Sequence, residues 1–305
     1  MRGQPVRVAA IDCGTNTIKL LVLDEDGADL EREMRIVRLG QDVDRTGRLA
    51  EEALERTFAA VEEYAALVAR HGVDRIRFCA TSATRDAANA EEFAAGVRAR
   101  LGVAPEVVSG DEEAALAWAG ATRGLPGLAG PVVVLDIGGG STELVLGSGA
   151  TPDVAHSMDI GSVRMTERHL RSDPPSADEV AACVADVESA LDACPVDPGA
   201  AVTLVGVAGT VTTLAAGVIG LTAYDRSATH GARLPVAQVH ALCDRLVGST
   251  AAERAEMAWL HPGRADVIAA GALVLSRVLA RSRVSELVVS EADILDGIAW
   301  SLREG

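Results

Sequence analysis

The chain has 305 residues, of which 49% are hydrophobic, 24% charged and only 3% aromatic. This composition excludes disorder, collagen and coiled coil, and the length favours two domains. The 44 acidic residues outnumber the 28 lysines and arginines, and the formal net charge of −16 disfavours general binding to nucleic acid because the mean field repels phosphate. No segment has the pattern of a secretory signal or a membrane span, and the five scattered cysteines favour reduced thiols, so we expect a cytoplasmic protein without a membrane partner.

The first part of the chain begins with strands and continues with alternating helices and strands. Two apolar runs flank a polar turn that contains glycine, and a helical spacing of apolar residues follows them. The predicted elements are strands 6–11, 18–23 and 32–39, a helix that includes 54–68 and ends at Gly72, strand 76–79, helix 91–101, strand 107–108 and helix 111–121.

After a linker candidate at 124–131, the opening pattern of the chain returns. The predicted elements are strands 132–135, 144–146 and 153–160, helix 178–193, strand 202–207, helices 236–248 and 265–281, strand 287–290 and helix 293–303. Because the period is too long for a solenoid, we interpret the pattern as a duplicated domain. The predicted domains are 1–124 and 125–305, with helix 293–303 as an element that can pack back onto the first domain. Helix 265–281 is apolar on most faces, which is typical of a buried helix or a dimer face.

Each copy of the pattern contains a loop that is suited to phosphate. A strand ends at Asp12 or Asp136, and glycine with hydroxyl or amide residues follows before the next strand. Glycine lets an oxyanion approach outward-pointing amides, and the aspartate can hold Mg²⁺ directly or through water. One such match is weak evidence for a phosphate site. Two copies predict that both loops bind one phosphate chain, from opposite sides of a cleft between the domains.

A third glycine cluster, 206–213, follows strand 202–207 and opens a helix. Its amides and hydroxyls suit an anion at a helix N-terminus, but they equally suit a close strand–helix crossing capped by Thr210. The sequence leaves both interpretations open.

Five motifs in this order resemble the exopolyphosphatase/guanosine pentaphosphate phosphatase family. They are D-x-G-T-N at 12–16, A-T-S-A-x-R at 80–85, S-G-D-E-E-A at 109–114, D-I-G-G-G-S-T-E at 136–143 and G-V-A-G-T at 206–210, and G-S-V-R-M-T-E at 161–167 and His230-Gly231 also match. The resemblance covers essentially the whole chain. It implies an α/β fold of the duplicated actin-like (sugar kinase/Hsp70-like) ATPase type, with two domains and the active site between them.

The resemblance also implies roles for matching residues. Glu113 falls on the family's catalytic glutamate, and Asp136 and Glu143 fall on the acidic pair associated with the metal. We add Asp12 to the expected metal ligands because it ends a strand in the same way. The expected phosphate-binding residues are Gly14, Thr15, Asn16, Lys19, Arg85, Gly138, Gly139, Gly140, Ser141 and Thr210. Lys19, the only lysine in the chain, stands where the family usually has arginine.

The implied activity is hydrolysis of the terminal phosphate of inorganic polyphosphate. Glu113 would orient or deprotonate the attacking water, and Mg²⁺ or Mn²⁺, with a monovalent cation as a further candidate, would offset phosphate charge. Long members of the family append helical C-terminal domains, which the chain up to Gly305 lacks, so we expect a preference for short polyphosphates. A homodimer is expected from the resemblance and from apolar helix surface.

Three alternatives stay open. They are hydrolysis of pppGpp to ppGpp, an ATP-dependent kinase or ATPase with a nucleotide pocket at 206–213, and a non-catalytic regulator that binds ppGpp or polyphosphate. From spacing alone, Glu113 fits an exposed carboxylate in the first turn of a helix. Arg164, Arg264 and Asp266 fit ion pairs at least as well as a site, and His230 fits an ordinary loop hydrogen bond.

Overall fold

The computed structural model of the protein describes residues 6–304 and consists of two α/β units. The first unit runs to Leu116 and resumes at Ile294, and the second covers Ala117–Asp293. The elements are β1 (Val8–Cys13), β2 (Thr17–Leu23), β3 (Asp29–Ile36), α1 (Val43–Thr46), α2 (Glu51–His71), β4 (Arg75–Ala80), α3 (Ser82–Arg85), α4 (Ala90–Leu101), β5 (Glu106–Val107), α5 (Gly110–Gly124), β6 (Val132–Ile137), β7 (Thr142–Gly147), β8 (Val154–Met158), α6 (Ser162–His169), α7 (Ala177–Ala193), β9 (Thr203–Val207), α8 (Ala208–Ile219), α9 (Arg226–Thr229), β10 (Arg233–Pro235), α10 (Val236–Gly248), α11 (Ala251–Ala255), α12 (Ile268–Arg281), β11 (Glu286–Val289) and α13 (Ile294–Glu304).

The sheet of the first unit has the order β3-β2-β1-β4-β5. The pairs β1–β2 and β2–β3 are antiparallel, whereas β4 runs parallel to β1 and β5 runs parallel to β4. All six residues of β1 are buried, which explains its continuous apolar run. Ile11 packs into a core with Tyr64 of α2 and Phe93 of α4, and α13 contacts β1, β2 and β4. Because side chains alternate along a strand, Asp12 lies on the face opposite Ile11.

The sheet of the second unit repeats this topology. Its order is β10-β11-β9-β6-β7-β8, so β8-β7-β6-β9-β11 matches the five strands of the first unit in chain order and direction, with β10 added at the edge. The predicted duplication and the predicted α/β actin-like topology are therefore confirmed. The core of this unit consists of aliphatic side chains, as the composition indicates.

The units divide inside α5 and again before α13, rather than at the glycine-rich linker candidate. The carbonyl of Pro131 accepts hydrogen bonds from the amides of Val202 (2.8 Å) and Thr203 (3.2 Å), and the Thr203 hydroxyl donates to the Ala129 carbonyl (2.7 Å). The linker candidate is thus the entry to β6 and is bonded to the start of β9. Helix α13 belongs to the first unit.

Helix α12 is buried within the second unit, where it contacts α6, α7, α8 and α10. The apolar faces predicted for helix 265–281 are therefore covered inside the unit and supply no argument for a dimer. Over residues 6–304, no helix combines the length and the apolarity that crossing a membrane requires.

Strand β3 ends earlier than the predicted strand 32–39. The amides of Val37 and Arg38 both donate to the Asn16 carbonyl at 3.0 Å, and Arg38 has a left-handed φ of 52°. The chain thus leaves the sheet after Ile36 to bond with the first glycine loop. Several short helices, including α3 and α6, were not predicted because they are too short to show helical periodicity.

Candidate active site

The hairpin of β1 and β2 carries the first predicted phosphate loop. The Gly14 amide donates to the Thr17 carbonyl at 2.9 Å, which closes the turn. Asp12, near the end of β1, lies directly opposite Lys19 of β2, and Lys19 Nζ is 3.3 Å from Asp12 Oδ2. Because a buried carboxylate is costly without compensation, the Lys19 ammonium stabilises the charge of Asp12 inside this hairpin.

Neighbouring segments hold the loop 14–16 in place. Thr15 Oγ1 and Ser82 Oγ are 2.9 Å apart in a buried hydrogen bond, and the Asn16 carbonyl accepts from the Arg38 amide. The Gly40 amide donates to the Thr15 carbonyl at 2.8 Å. A Cβ atom on Gly40 would lie 2.3 Å from Thr15 Cγ2, so only glycine fits there. The loop is therefore preorganised before any ligand arrives.

Glu113 lies in the first turn of α5, where it is only 8% exposed. Spacing alone indicates an exposed carboxylate at this position, and the burial shows that interpretation to be wrong. Arg85 Nη1 donates to Glu113 Oε2 at 2.7 Å and to the Val108 carbonyl at 2.9 Å. Burial, reinforced by the charge of Asp12, raises the pKa of Glu113 to about 7 against the opposing effects of Arg85 and a hydrogen bond from Thr81.

The second unit has an equivalent hairpin, but its two facing side chains are both carboxyl groups rather than a carboxylate and an ammonium. The Gly138 amide donates to the Ser141 carbonyl at 3.0 Å, and Asp136 of β6 lies opposite Glu143 of β7. The two carboxylates are 6% and 1% exposed. Glu143 Oε1 accepts a hydrogen bond of 2.7 Å from Ser157 Oγ on β8. Adjacent buried carboxylates are hard oxygen donors of the kind that Mg²⁺ prefers.

The start of α6 supports the loop of the second hairpin. The Gly139 carbonyl accepts from the amides of Val163 (2.8 Å) and Arg164 (3.1 Å), and Arg164 Nε donates to the Gly140 carbonyl at 2.7 Å. A Cβ atom on Gly161 would lie 2.5 Å from the Gly139 oxygen. Arg164 thus holds the loop backbone, which the sequence did not indicate, and its Nη2 also lies 3.9 Å from Asp159 Oδ1, which agrees with the predicted ion pair.

The third glycine segment is tightly packed at the start of α8. Arg264 Nη1 donates to the Gly209 carbonyl (2.5 Å) and to Thr213 Oγ1 (2.9 Å). Thr210 is buried, and a Cβ atom on Gly271 of α12 would lie 2.7 Å from its Cγ2 atom. These contacts favour the strand–helix crossing over an anion site, and phosphate binding by Thr210 stays a prediction.

Histidine and cysteine are two further residue types that could contribute to a site. The His230 imidazole accepts from the Glu291 amide through Nδ1 at 3.1 Å, and its Nε2 is 3.1 Å from the Gly124 carbonyl, so both nitrogens make loop hydrogen bonds. Burial raises the pKa of the Cys13 and Cys79 thiols, which disfavours a thiolate nucleophile beside Asp12.

Sequence reasoning did not single out Ser82 and Ser157. Ser82 stands inside the A-T-S-A-x-R motif, which was a usable signal. Ser157 had no signal of its own, because only the pairing of β7 with β8 brings it opposite Glu143. Glu113, Asp12, Lys19 and the loop 14–16 lie in the first unit. Asp136, Glu143, the loop 138–141 and Thr210 lie in the second, and the cleft stays a prediction.

Comparisons with known proteins agree with the motif order and the duplicated topology. The chain is 48% identical to exopolyphosphatase 2 of Mycobacterium tuberculosis over 97% of this chain and 98% of that protein, and 30% identical to exopolyphosphatase 1 of Mycobacterium leprae over 98% and 88%. A solved exopolyphosphatase-like protein has a TM-score of 0.95 with 46% identity, covering 98% of this chain and 99% of that one. An exopolyphosphatase from Cytophaga hutchinsonii has a TM-score of 0.90 with 25% identity, covering 98% of both chains. Residues 22–304 match the sequence profile of the Ppx/GppA phosphatase family, and the chain belongs to that family.

Proposed function

We propose that this protein is an exopolyphosphatase that hydrolyses the terminal phosphate of inorganic polyphosphate, with a preference for short chains. The observation that carries this proposal is Glu113, a buried carboxyl whose pKa is raised to about 7 and which Arg85 holds by a hydrogen bond of 2.7 Å. The 48% identity to a mycobacterial exopolyphosphatase 2 supports the same activity.

Glu113 acts as the general base. The oxygen of a water molecule forms a bond to the terminal phosphorus, the phosphoanhydride bond breaks, and the water proton passes to Glu113. Arg85 orients the Glu113 carboxylate and supplies positive charge beside it. The amides of Thr15 and Asn16 bind phosphate oxygens, and Lys19 adds the positive charge that a phosphate chain requires in a protein of net charge −16.

The metal-binding part of the proposal assigns Mg²⁺ to Asp136 and Glu143. Among residues 6–304 there is no group of three or more histidine, cysteine, aspartate or glutamate residues that could hold a metal. Two buried carboxylates still fit Mg²⁺, because this ion is usually bound by one or two carboxylates together with substrate phosphates and water. When bound, the ion offsets phosphate charge in the transition state. The ion pair with Lys19 argues against Asp12 as a further ligand.

Phosphate release by the purified protein with Mg²⁺ tests this function. The substrates are a short polyphosphate, a long polyphosphate, pppGpp and ATP. We expect the highest kcat/KM on the short polyphosphate and a loss of about 10²-fold or more in Glu113→Gln. Glu112→Gln is the matched control, because Glu112 is the exposed neighbour of Glu113 and should leave the rate unchanged.

Other outcomes would redirect the assignment. Activity on pppGpp alone would make the protein a guanosine pentaphosphate phosphohydrolase, and ATP as the best substrate would favour a nucleotidase. No release from any substrate would reject the enzyme assignment, and equal rates on long and short chains would reject the length preference. Sedimentation velocity tests the homodimer, which we also propose.

A further inference from the structure

The two hairpins share one backbone design. Asp12 is the fifth residue of β1, and Asp136 is the fifth residue of β6. In each hairpin, the residue seven positions after the aspartate lies directly opposite it on the next strand. That residue is Lys19 in the first unit and Glu143 in the second. The duplication has therefore preserved the position and inverted its charge.

The residues that face Lys19 and Glu143 on the next strand, β3 or β8, match this difference in charge. Lys19 is paired with Met34 of β3, and Glu143 is paired with Ser157 of β8. The Ser157 hydroxyl donates to the Glu143 carboxylate at 2.7 Å, whereas a methionine side chain carries no donor for a carboxylate at that position. In each unit, the residues paired across three adjacent strands therefore suit the charge of the side chain on the middle strand, which is Lys19 in the first unit and Glu143 in the second.

The electrostatic consequence differs between the units. In the first, the hairpin brings an ammonium to 3.3 Å from the Asp12 carboxylate. In the second, it places two buried carboxyl groups opposite each other, and carboxylate oxygens are the ligands that divalent cations such as Mg²⁺ and Mn²⁺ take in proteins. We propose that Lys19 is a built-in cation that takes, in the first unit, the place of the divalent cation held by Asp136 and Glu143. Lys19 accordingly limits the chain to one divalent cation.

This inference rests on the metal-binding part of the proposed function and is independent of the substrate. Its test is therefore Mn²⁺ binding without substrate, measured by equilibrium dialysis and by electron paramagnetic resonance of the free ion. The double variant Asp136→Asn/Glu143→Gln gives the baseline of weak surface binding. Above this baseline we expect one Mn²⁺ per chain in the wild type and in Lys19→Arg, because both keep a cation beside Asp12.

Exchanging the hairpin residues provides the decisive comparison. Lys19→Glu/Met34→Ser copies the second hairpin into the first, and we expect two bound Mn²⁺ ions per chain. Glu143→Lys/Ser157→Met copies the first hairpin into the second, and we expect none. The first exchange should also lower the unfolding temperature without metal and restore it with Mn²⁺, because the added carboxylate needs a counter-charge.

Two results would overturn the proposal. One is a wild type that binds two ions, or none, above the baseline. The other is a Lys19→Glu/Met34→Ser chain that has a native circular dichroism spectrum and still binds one ion. If that chain does not fold, Asp12→Asn decides instead: unchanged Mn²⁺ stoichiometry supports the proposal, and loss of an ion rejects it. Phosphate release that is absent while Mn²⁺ binding follows expectation would reject the proposed activity alone.

Discussion

Glu113 shows how burial changes the chemistry of a single side chain. Its sequence context, among two other acidic residues in a first helical turn, favours a solvated carboxylate stabilised by the helix dipole. In the structure, desolvation outweighs the attraction of Arg85 and raises the pKa of Glu113 to about 7. The residue is therefore basic enough to accept a proton from water near neutral pH.

This pKa predicts the pH dependence of catalysis. The base must be deprotonated, so kcat/KM should rise with pH, level off above about 7 and fall about tenfold for each pH unit well below it. The measurement is the initial rate on a short polyphosphate at fixed free Mg²⁺ across this range. A profile without an acidic limb, or the same limb in the residual activity of Glu113→Gln, would exclude Glu113 as the titrating base.

Ser157 is the residue that orients Glu143. Removing its hydroxyl in Ser157→Ala should weaken Mn²⁺ binding about 10-fold or more, because the carboxylate loses the hydrogen bond of 2.7 Å that fixes its direction. Ser157→Thr keeps a hydroxyl and should keep the affinity. Equal Mn²⁺ affinity in the alanine and threonine variants, measured by titration, would contradict this role.

At the scale of elements, backbone contacts between helices explain why some glycines cannot be replaced. A Cβ atom on Gly297 of α13 would lie 2.1 Å from the carbonyl oxygen of Leu116 on α5. The side chain of alanine would therefore push α13 away from the part of α5 that belongs to the first unit. Gly248, the last residue of α10, has no heavy atom within 4 Å of such a Cβ position.

These two positions form a matched pair for the same substitution. Gly297→Ala should lower the free energy of unfolding by about 1–3 kcal/mol through overpacking. Gly248→Ala should leave it unchanged or raise it by about 0.5–1 kcal/mol, since alanine restricts the unfolded chain. Urea unfolding of both variants provides the measurement, and equal effects would show that the α5–α13 contact does not limit stability.

Some elements could be predicted from the local sequence, and others could not. Helix α10 was predicted with its observed bounds, 236–248, because its apolar residues recur at helical spacing. Strand β3 ends at Ile36 because amides beyond it bond to the Asn16 carbonyl, and this partner is distant in sequence. Helix α6, which holds the loop of the second hairpin, has only eight residues and no sustained apolar period.

For the whole molecule, the net charge of −16 opposes the approach of a polyanion. In the proposed function, phosphate is therefore captured locally, by loop amides and by a few cations such as Lys19 and Arg85. Screening lengths shrink from about 30 Å at 0.01 M to about 8 Å at 0.15 M ionic strength, so added salt weakens the distant repulsion more than the contacts at the site.

The expected result is a kcat/KM for short polyphosphate that rises as NaCl increases from about 10 mM to about 150 mM. The free Mg²⁺ concentration is held constant, and sodium acetate replaces NaCl in a control for specific anion effects. A steady fall over this range would show that attraction by the site, rather than repulsion by the whole chain, governs association.

The sequence by itself determined the two-domain α/β class, the duplication, the family and the positions of both glycine loops, because these depend on local patterns and on the order of motifs. The tertiary structure decided which charges meet. Only strand pairing brings Lys19 opposite Asp12 and Ser157 opposite Glu143, and only packing buries Glu113. It also decided that the chain divides inside α5 and not at the Gly-Pro segment 124–131, which is hydrogen-bonded to the start of β9. Pairing and burial depend on residues far apart in the chain, and local periodicity carries no information about them.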